Sequence, residues 1–254
     1  MFINQKNHAI HNQDELFHRL IHDEKASLSA KVFIKENGFD PEEFTTFINQ
    51  NVNHLNRSNP KFTKFKTLDD VITNGLKKIA GHDPIRPELS KAFYHAERNE
   101  ICITNLYILT VIPCIYPLFA NSMFYLDKYK NLCAMLESES DRKYPKYYDI
   151  IPQDDLNIQL RIEQSDINIM KSYCDICRII GHKDLRVEIN GIIFNPEYML
   201  NLISFIKGID PFADIKFYGR NPSSIFLMES NDHKYLIMPI YTNAELLPSV
   251  IKIN

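Results

Sequence analysis

No apolar run in the 254 residues approaches the roughly eighteen needed to cross a bilayer as a helix. The opening residues, Met1-Phe-Ile-Asn-Gln-Lys-Asn-His, contain no hydrophobic leader core. The expectation is a cytoplasmic protein. Cysteine is sparse: five residues, an odd number without framework spacing, which excludes a disulfide scaffold and suits a reducing compartment. Neither sign of charge dominates, since 29 Lys and Arg against 32 Asp and Glu leave a formal net charge of −3. That balance argues against a general nucleic-acid coat protein, yet it is compatible with a body acidic outside and basic only on inner helices. Internal repeats are also missing. The length suffices to bury a core in two domains, or in one domain with a small helical appendage.

What is present is clearest near the end of the chain. Asn195 is a good N-cap, Pro196 sits where a helix wastes no N–H, and Gly208 is placed to end that helix. Between them Met199, Leu202, Ile203 and Ile206 form an apolar stripe, with Asn201, Ser204 and Lys207 on the other side. Strands are predicted at Asp214–Tyr218, Ser224–Glu229 and Tyr235–Ile240, separated by Gly219-Arg-Asn-Pro and Asn231-Asp-His, so an antiparallel meander follows the helix. Earlier, Thr67 caps a predicted helix that turns Leu68, Val71, Ile72, Leu76 and Ile79 inward and Asn74, Lys77 and Lys78 outward. Ser165 is read as the cap of another, Asp166–Ile180, with Lys171, Asp175 and Arg178 on its polar side. Residues 1–60 read as short helices. The clearest starts at Asp40-Pro41-Glu-Glu and carries the stripe Phe44, Phe47, Ile48, Val52 and Leu55. Asn56-Arg-Ser-Asn-Pro-Lys reads as a linker.

Three motifs stand in order. Asp83-Pro-Ile-Arg-Pro-Glu-Leu-Ser-Lys-Ala-Phe-Tyr with Asn99-Glu-Ile-Cys-Ile-Thr-Asn resembles the Arg-Pro-x-Leu hairpin in the middle domain of the bacterial DNA polymerase III β subunit, the sliding clamp. Tyr144-Pro-Lys-Tyr-Tyr-Asp-Ile-Ile-Pro resembles that family's Phe-Pro-x-Tyr-x-x-Val-x-Pro linker. Asn195-Pro-Glu-Tyr-Met-Leu and Tyr235-Leu-Ile-Met-Pro resemble its last Phe-Asn-x-x-Tyr-Leu helix and closing strand. The family's Ala-Thr-Asp-Gly element is reduced here to Thr104-Asn-Leu-Tyr-Ile-Leu, without its glycine and arginine. Residues 109–144 and 152–195 are shorter than their counterparts. Residues 1–60 replace the family's first domain with unrelated sequence. The resemblance implies an α+β fold of βαβββ units, antiparallel sheets with helices on one face. Its divisions are a helical N-terminal segment (1–60) and two shortened clamp-like domains (61–152 and 153–254).

A protein that slides on duplex DNA holds phosphates without reading bases, since a base contact would trap it. The residues nominated for this are Lys77, Lys78, Lys171, Arg178 and Lys207, against the plain alternative of a solvated helix face. The resemblance also implies a hydrophobic pocket that captures Gln-x-x-Leu-Phe peptides of a DNA polymerase or other partners. Its matching residues are Thr104, Tyr107, Leu109, Pro145, Ile150, Leu236, Ile237, Met238, Pro239 and Ile240. The alternative is that these are core residues. Gln13-Asp-Glu-Leu-Phe17 resembles such a docking peptide itself, or is a helix start.

Other signals point elsewhere. His95-Ala-Glu97 followed by Pro113-Cys114 resembles the zinc elements of nucleotide deaminases, but position 117 is proline where the second cysteine belongs. Cys174-Asp-Ile-Cys177 has knuckle spacing without a second pair. On a helix, its thiols fall on the apolar face with Ile167 and Met170. His18 and His22 lack a third ligand. The reading adopted is a non-enzymatic, cofactor-free processivity factor that encircles double-stranded DNA irrespective of sequence. A ring of about six such domains would make two-domain chains a trimer. The alternatives are a degenerate clamp module that binds peptides or a clamp without encircling DNA, and a zinc deaminase.

Overall fold

The computed structural model describes residues 64–114, 120–153, 155–180, 184–240 and 251–253. The helices predicted within residues 1–60, the linker at 56–61, the Gln13–Phe17 motif and His18 and His22 lie outside the described residues. The described chain is α+β: helices α1 (Leu68–Lys78), α2 (Gln164–Ile180) and α3 (Pro196–Ile209) accompany twelve strands. The strands are β1 (Ala92–His95), β2 (Glu100–Thr104), β3 (Ile108–Pro113), β4 (Ser122–Leu126), β5 (Leu132–Leu136) and β6 (Ile158–Ile162). They continue with β7 (Val187–Ile189), β8 (Ile192–Phe194), β9 (Ile215–Gly219), β10 (Phe226–Ser230), β11 (His233–Ile237) and β12 (Ile251–Ile253). The described residues fall into two compact units, one holding 64–161 and 201–239, the other 162–200, 240 and 251–253.

The larger unit is built on a nine-stranded sheet of order β5-β4-β1-β2-β3-β11-β10-β9-β6. Its early strands are joined to its late ones where β3 pairs antiparallel with β11, Leu109 opposite Leu236 and Thr110 opposite Tyr235. Strand side chains alternate between faces, and the register sorts them cleanly. Phe93 lies opposite Cys102, Cys102 opposite Val111, Leu109 opposite Leu236 and Leu236 opposite Leu227, and all of these share one face. Tyr94, Ile101, Ile103, Thr110 and Tyr235 share the other and are also buried.

Helices close the second of these faces. The cap of α1 is reciprocal: Thr67 Oγ1 accepts from Asp70 N, and the Asp70 carboxylate accepts from Thr67 N and Lys66 N. Ile72, Leu76 and Ile79 are buried, while Gly75 permits close approach. A Cβ there would lie 2.3 Å from Ile103 and 3.3 Å from Phe205 of α3. α3 starts as expected, with Asn195 Oδ1 accepting from Glu197 N and Tyr198 N. It does not stop at Gly208 but runs to Ile209. Gly208 is needed for another reason: the Phe65 ring lies on it, so that a Cβ would come within 2.3 Å of the ring. Phe65 N also donates to Gly208 O, and the ring tilts against Phe205 at 5.7 Å.

The opposite face is closed without a helix of comparable length. Residues 144–151 cross it as a strap with one 3-10 turn, Tyr147–Ile150. Tyr144, Tyr147 and Ile151 are buried in one cluster with Phe93, Cys102, Leu109, Val111, Met123, Leu227 and Leu236. Tyr144 stacks on Phe93 at 5.0 Å, and Tyr147 Oη donates to Glu100 Oε1 at 2.6 Å.

In the smaller unit, α2 begins at Gln164, one residue before the expected cap. Ser165 lies inside the helix, where its hydroxyl donates to Asp166, and the Asp166 carboxylate accepts from Glu163 N. The carboxylate thus closes the first turn in place of the serine. β7 and β8 form a hairpin turned by Asn190 and Gly191, both at positive φ (51° and 77°), the conformation favoured in tight two-residue turns. β12 pairs parallel with β7, an element absent from the sequence reading. Ile240 N donates to Ile193 O.

Candidate functional site

The lysine-bearing surface of the larger unit comes from α1, α3 and the residues just before α1. Phe65 lies at Gly208, Phe205 near Gly75 and Lys78 at Ser204, so the two helices pack against each other on the same face of the sheet. Lys77, at the end of α1, is exposed. Lys78 is half-buried and donates to Ser204 Oγ at 2.6 Å, and burial lowers its ammonium pKa from the ordinary lysine value. Lys207 is drawn onto the carbonyl of Ala213. Both are structural as much as electrostatic, because each spends a donor on holding α3 or its exit loop. Lys64 and Lys66, in the segment anchored by Phe65, are exposed. Sequence reasoning missed these two, although an aromatic residue between two lysines was a legible sign of a docked segment with both cations outward.

The remaining nominated cations belong to the smaller unit. On α2, Lys171 is exposed, whereas Arg178 pairs with Asp175 at 3.0 Å and with Glu197 of α3 at 3.9 Å. An arginine shared by two carboxylates offers little net charge to a phosphate. Lys77 and Lys171 are therefore the nominated cations that are exposed without an ion pair among the described residues.

The apolar nominations divide sharply. Leu109 and Leu236 are 3 % and 2 % exposed beneath the strap, and Ile237 is buried on the helix-covered face. Thr104 is buried too, with its hydroxyl donating to Ile108 O and accepting from Leu106 N to shape the β2–β3 turn. Asn105 Oδ1 accepts from Tyr107 N and Ile108 N in the same turn, and Leu106 takes φ 78°. This network does the work for which the missing glycine is not available. By contrast, Tyr107 and Met238 are exposed at 54 % and 41 %, and Met238 N donates to Tyr107 O at 2.8 Å. β11 ends at Ile237, earlier than the predicted Ile240: Met238 N makes a last bond in register, Pro239 has no N–H, and Ile240 N donates to Ile193 O instead. Tyr107 and Met238 thus form an exposed apolar pair at the β3–β11 joint. Ile150 is exposed on the strap, and Pro145 is half-buried.

The deaminase-like residues serve a hairpin. β1 and β2 turn at 96–99, with Asn99 at φ 52°, and Asn99 Nδ2 donates to Cys114 O while Cys114 N donates to Asn99 O. Cys114 is buried, and His95 meets Phe93, Tyr147 and Tyr148 edge to face. No cluster of three or more candidate metal ligands occurs among the described residues. Cys174 and Cys177 are buried on the apolar face of α2, as their spacing implied. Burial pushes the Cys177 thiol up to about 12, and burial together with the nearby Glu197 carboxylate raises Cys174 as well. Neither is a ready thiolate.

No family model and no curated protein matches the chain. Among solved structures it is similar to bacterial DNA polymerase III β sliding clamps at low identity. A putative β subunit from Eubacterium rectale is 12 % identical, with 72 % of this chain and 67 % of that chain covered at a TM-score of 0.46. The Bacillus subtilis sliding clamp is 16 % identical, with 72 % and 66 % covered at 0.45. The Helicobacter pylori β clamp bound to a DNA ligase peptide is 17 % identical, with 73 % and 69 % covered at 0.39. The chain spans about two thirds of the length of each. These are proteins of the family that the three motifs resemble. No helix among the described residues is long and apolar enough to cross a membrane.

Proposed function

We propose that the protein is a non-enzymatic DNA tether of sliding-clamp type, which holds duplex DNA without regard to sequence and keeps replication or repair proteins on it. The observation that carries this reading is the β3–β11 joint. It fuses the strands bearing the Arg-Pro-x-Leu hairpin with the strand bearing Tyr-Leu-Ile-Met-Pro into one sheet, with α1 and α3 packed against each other on one face. Lys77, Lys64 and Lys66 supply mobile positive charge there, and Lys171 supplies more on α2. Diffuse attraction of this kind suits phosphates and avoids base-specific traps. The modules at 61–152 and 153–254 that the motifs imply would share this one sheet rather than each close a sheet of its own. Encircling DNA would require several copies of the chain.

The second reading, a peptide-binding clamp module that does not encircle DNA, is favoured by the exposed Tyr107–Met238 pair. An apolar anchor of a Gln-x-x-Leu-Phe peptide would find aromatic and thioether surface there. One experiment separates the two. The protein is incubated with closed circular and linear duplexes of equal length and unrelated sequences, and retention is followed through a salt titration. Tethering predicts salt-sensitive binding indifferent to sequence, loss on linearisation, and weakening in Lys77→Glu with an unchanged thermal midpoint. No retention on either duplex leaves peptide binding as the better account.

A further inference from the structure

One end of the nine-stranded sheet gathers exposed apolar and cationic side chains. Ala92 opposite Phe124 and Leu126 opposite Leu132 put the β4–β5 tip at the end where β1 begins. Phe93 opposite Cys102, Thr104 opposite Leu109 and Ile237 opposite Ile108 put the β2–β3 turn and the exit of β11 at that same end. The Tyr107–Met238 pair and the tip therefore share one rim of the larger unit. Between them lies the loop of residues 80–91, with Gly81 so close to Asn105 that a Cβ would come within 3.2 Å, and with Lys91 Nζ 3.4 Å from Met135 Sδ of β5. This loop exposes Ile85 and Arg86.

The tip presents its side chains on a fixed turn. Asp127 Oδ1 accepts from Tyr129 N and Asn131 N, each at 2.8 Å, Oδ2 accepts from Asn131 Nδ2, and Asp127 N donates to Asn131 O. Lys130 takes φ 66° within it. The carboxylate is spent on the turn, while Lys128, Tyr129 and Lys130 are exposed. Asp83 is spent in the same way on Ile85 N, and Glu88 is buried facing Arg142. Arg86, Lys128 and Lys130 make no ion pair among the described residues. The rim thus offers cations and apolar groups and keeps its own carboxylates occupied.

We propose that the Lys128–Lys130 tip is a subsite for acidic residues of a docking peptide, reached about four residues from an apolar anchor at Tyr107 and Met238. The register follows from the sheet. Three strand separations of about 4.8 Å lie between the β4–β5 tip and the β2–β3 turn, about 14 Å in all, and an extended peptide advances about 3.3 Å per residue. A peptide fits this rim better than a nucleic-acid strand. Lys128 lies over the Tyr129 ring at 4.9 Å, on a face that a stacking base would need, and Ile85 and Met238 have no π-face to offer. The inference rests on the peptide-binding reading of the Tyr107–Met238 pair, and adds to it the charge of the partner and the position at which that charge is read.

The test is fluorescence anisotropy of the full chain with labelled synthetic peptides that share Gln-Ala-Ala-Leu-Phe. Each carries two glutamates or two lysines at the fourth and fifth positions from the Leu-Phe anchor, on its N-terminal or its C-terminal side. On one side the glutamate peptide should bind about fivefold tighter than the lysine peptide, the yield of two exposed ion pairs, and the advantage should fade with added salt. Glutamates placed directly beside the anchor should gain less. In Lys128→Ala/Lys130→Asn, with asparagine chosen because it tolerates positive φ, the advantage should vanish while the lysine peptide binds no more weakly and the circular dichroism spectrum is unchanged. Tyr107→Ala should weaken every peptide alike. Equal affinity of glutamate and lysine peptides on both sides, or a preference that survives the double variant, would overturn this subsite and leave the anchor standing. Failure of every peptide to bind would overturn the peptide-binding reading along with it. An oligothymidylate held by the wild type and released by the double variant, with the peptides undiscriminated, would assign the tip to nucleic acid instead.

Discussion

The two faces of the nine-stranded sheet both bury apolar side chains, the larger ones such as Tyr94, Phe226 and Tyr235 on the helix-covered face, but they are closed by different means. One is covered by α1 and α3, regular elements whose backbone polar groups are largely satisfied internally and whose burial follows a helical period. The other is covered by the strap at 144–151, which has little regular structure and grips through its aromatic side chains. A helix distributes its hold over many small contacts. The strap concentrates its hold on Tyr144 over Phe93, Tyr147 on Glu100, and Arg98 4.5 Å over the Tyr148 ring. Stability on the strap face therefore depends on fewer residues.

The largest expected effect breaks the platform of the strap. Phe93→Ala removes the ring on which Tyr144 stacks and opens a cavity beneath residues 144–151, at an expected cost of about 3–5 kcal/mol in chemical denaturation. Limited proteolysis should cut the variant first within the strap while α1 remains protected. Equal protection of both segments would mean that the strap does not rely on this contact and that the two faces are less different than their construction implies.

A smaller effect isolates the polar grip. Tyr147→Phe keeps the ring and its packing but deletes the donor to Glu100, and hydrogen bonds to charged groups contribute about 1.5–3 kcal/mol. Burial, followed by the adjacent carboxylate, raises the Tyr147 phenol well above its usual range, so the hydroxyl remains a donor throughout ordinary pH. The variant should have a lower urea midpoint with an unchanged slope. A midpoint equal to that of the wild type would assign the grip to ring packing alone.

The contrast between the faces also explains which features the sequence revealed. α1, α3 and the meander were legible because caps and periodicity are local: Thr67 and Asn195 act where their residue types predict, and Asn231-Asp232 makes the left-handed turn between β10 and β11. The strap was legible as a motif but not as a cover. Nothing local in Tyr144-Pro-Lys-Tyr-Tyr says which sheet face it crosses, so Leu109 and Leu236 could be assigned to an open pocket when they lie beneath it. The engagement of Lys78, Lys207 and Arg178 was hidden for the same reason, since their partners Ser204, Ala213 and Glu197 are identified only by tertiary packing or by chain direction after a helix. The pairing of β12 with β7 joins segments some sixty residues apart in sequence, a separation over which periodicity carries no information.

The smallest effect tests the helical face at its most local point. Thr67→Ala removes the hydroxyl that accepts from Asp70 N, and loss of an N-cap typically costs about 1 kcal/mol. The reciprocal half of the cap is the Asp70 carboxylate, held below the usual aspartate range chiefly by the N–H of Lys66 and further by Thr67. Because the folded-state pKa is depressed, its contribution is complete above the unfolded value and is lost as pH falls through the folded one. The penalty of Asp70→Asn should therefore shrink as the pH is lowered through that window, while that of Thr67→Ala should persist in part because its hydroxyl does not titrate. If α1 is secured mainly by Ile72, Leu76 and Ile79 against the sheet, both substitutions will leave the proteolytic protection of the helix intact. Loss of α1 protection at neutral pH in Thr67→Ala would instead show that the helix-covered face also hangs on a single residue, and the distinction between distributed and concentrated hold would fail.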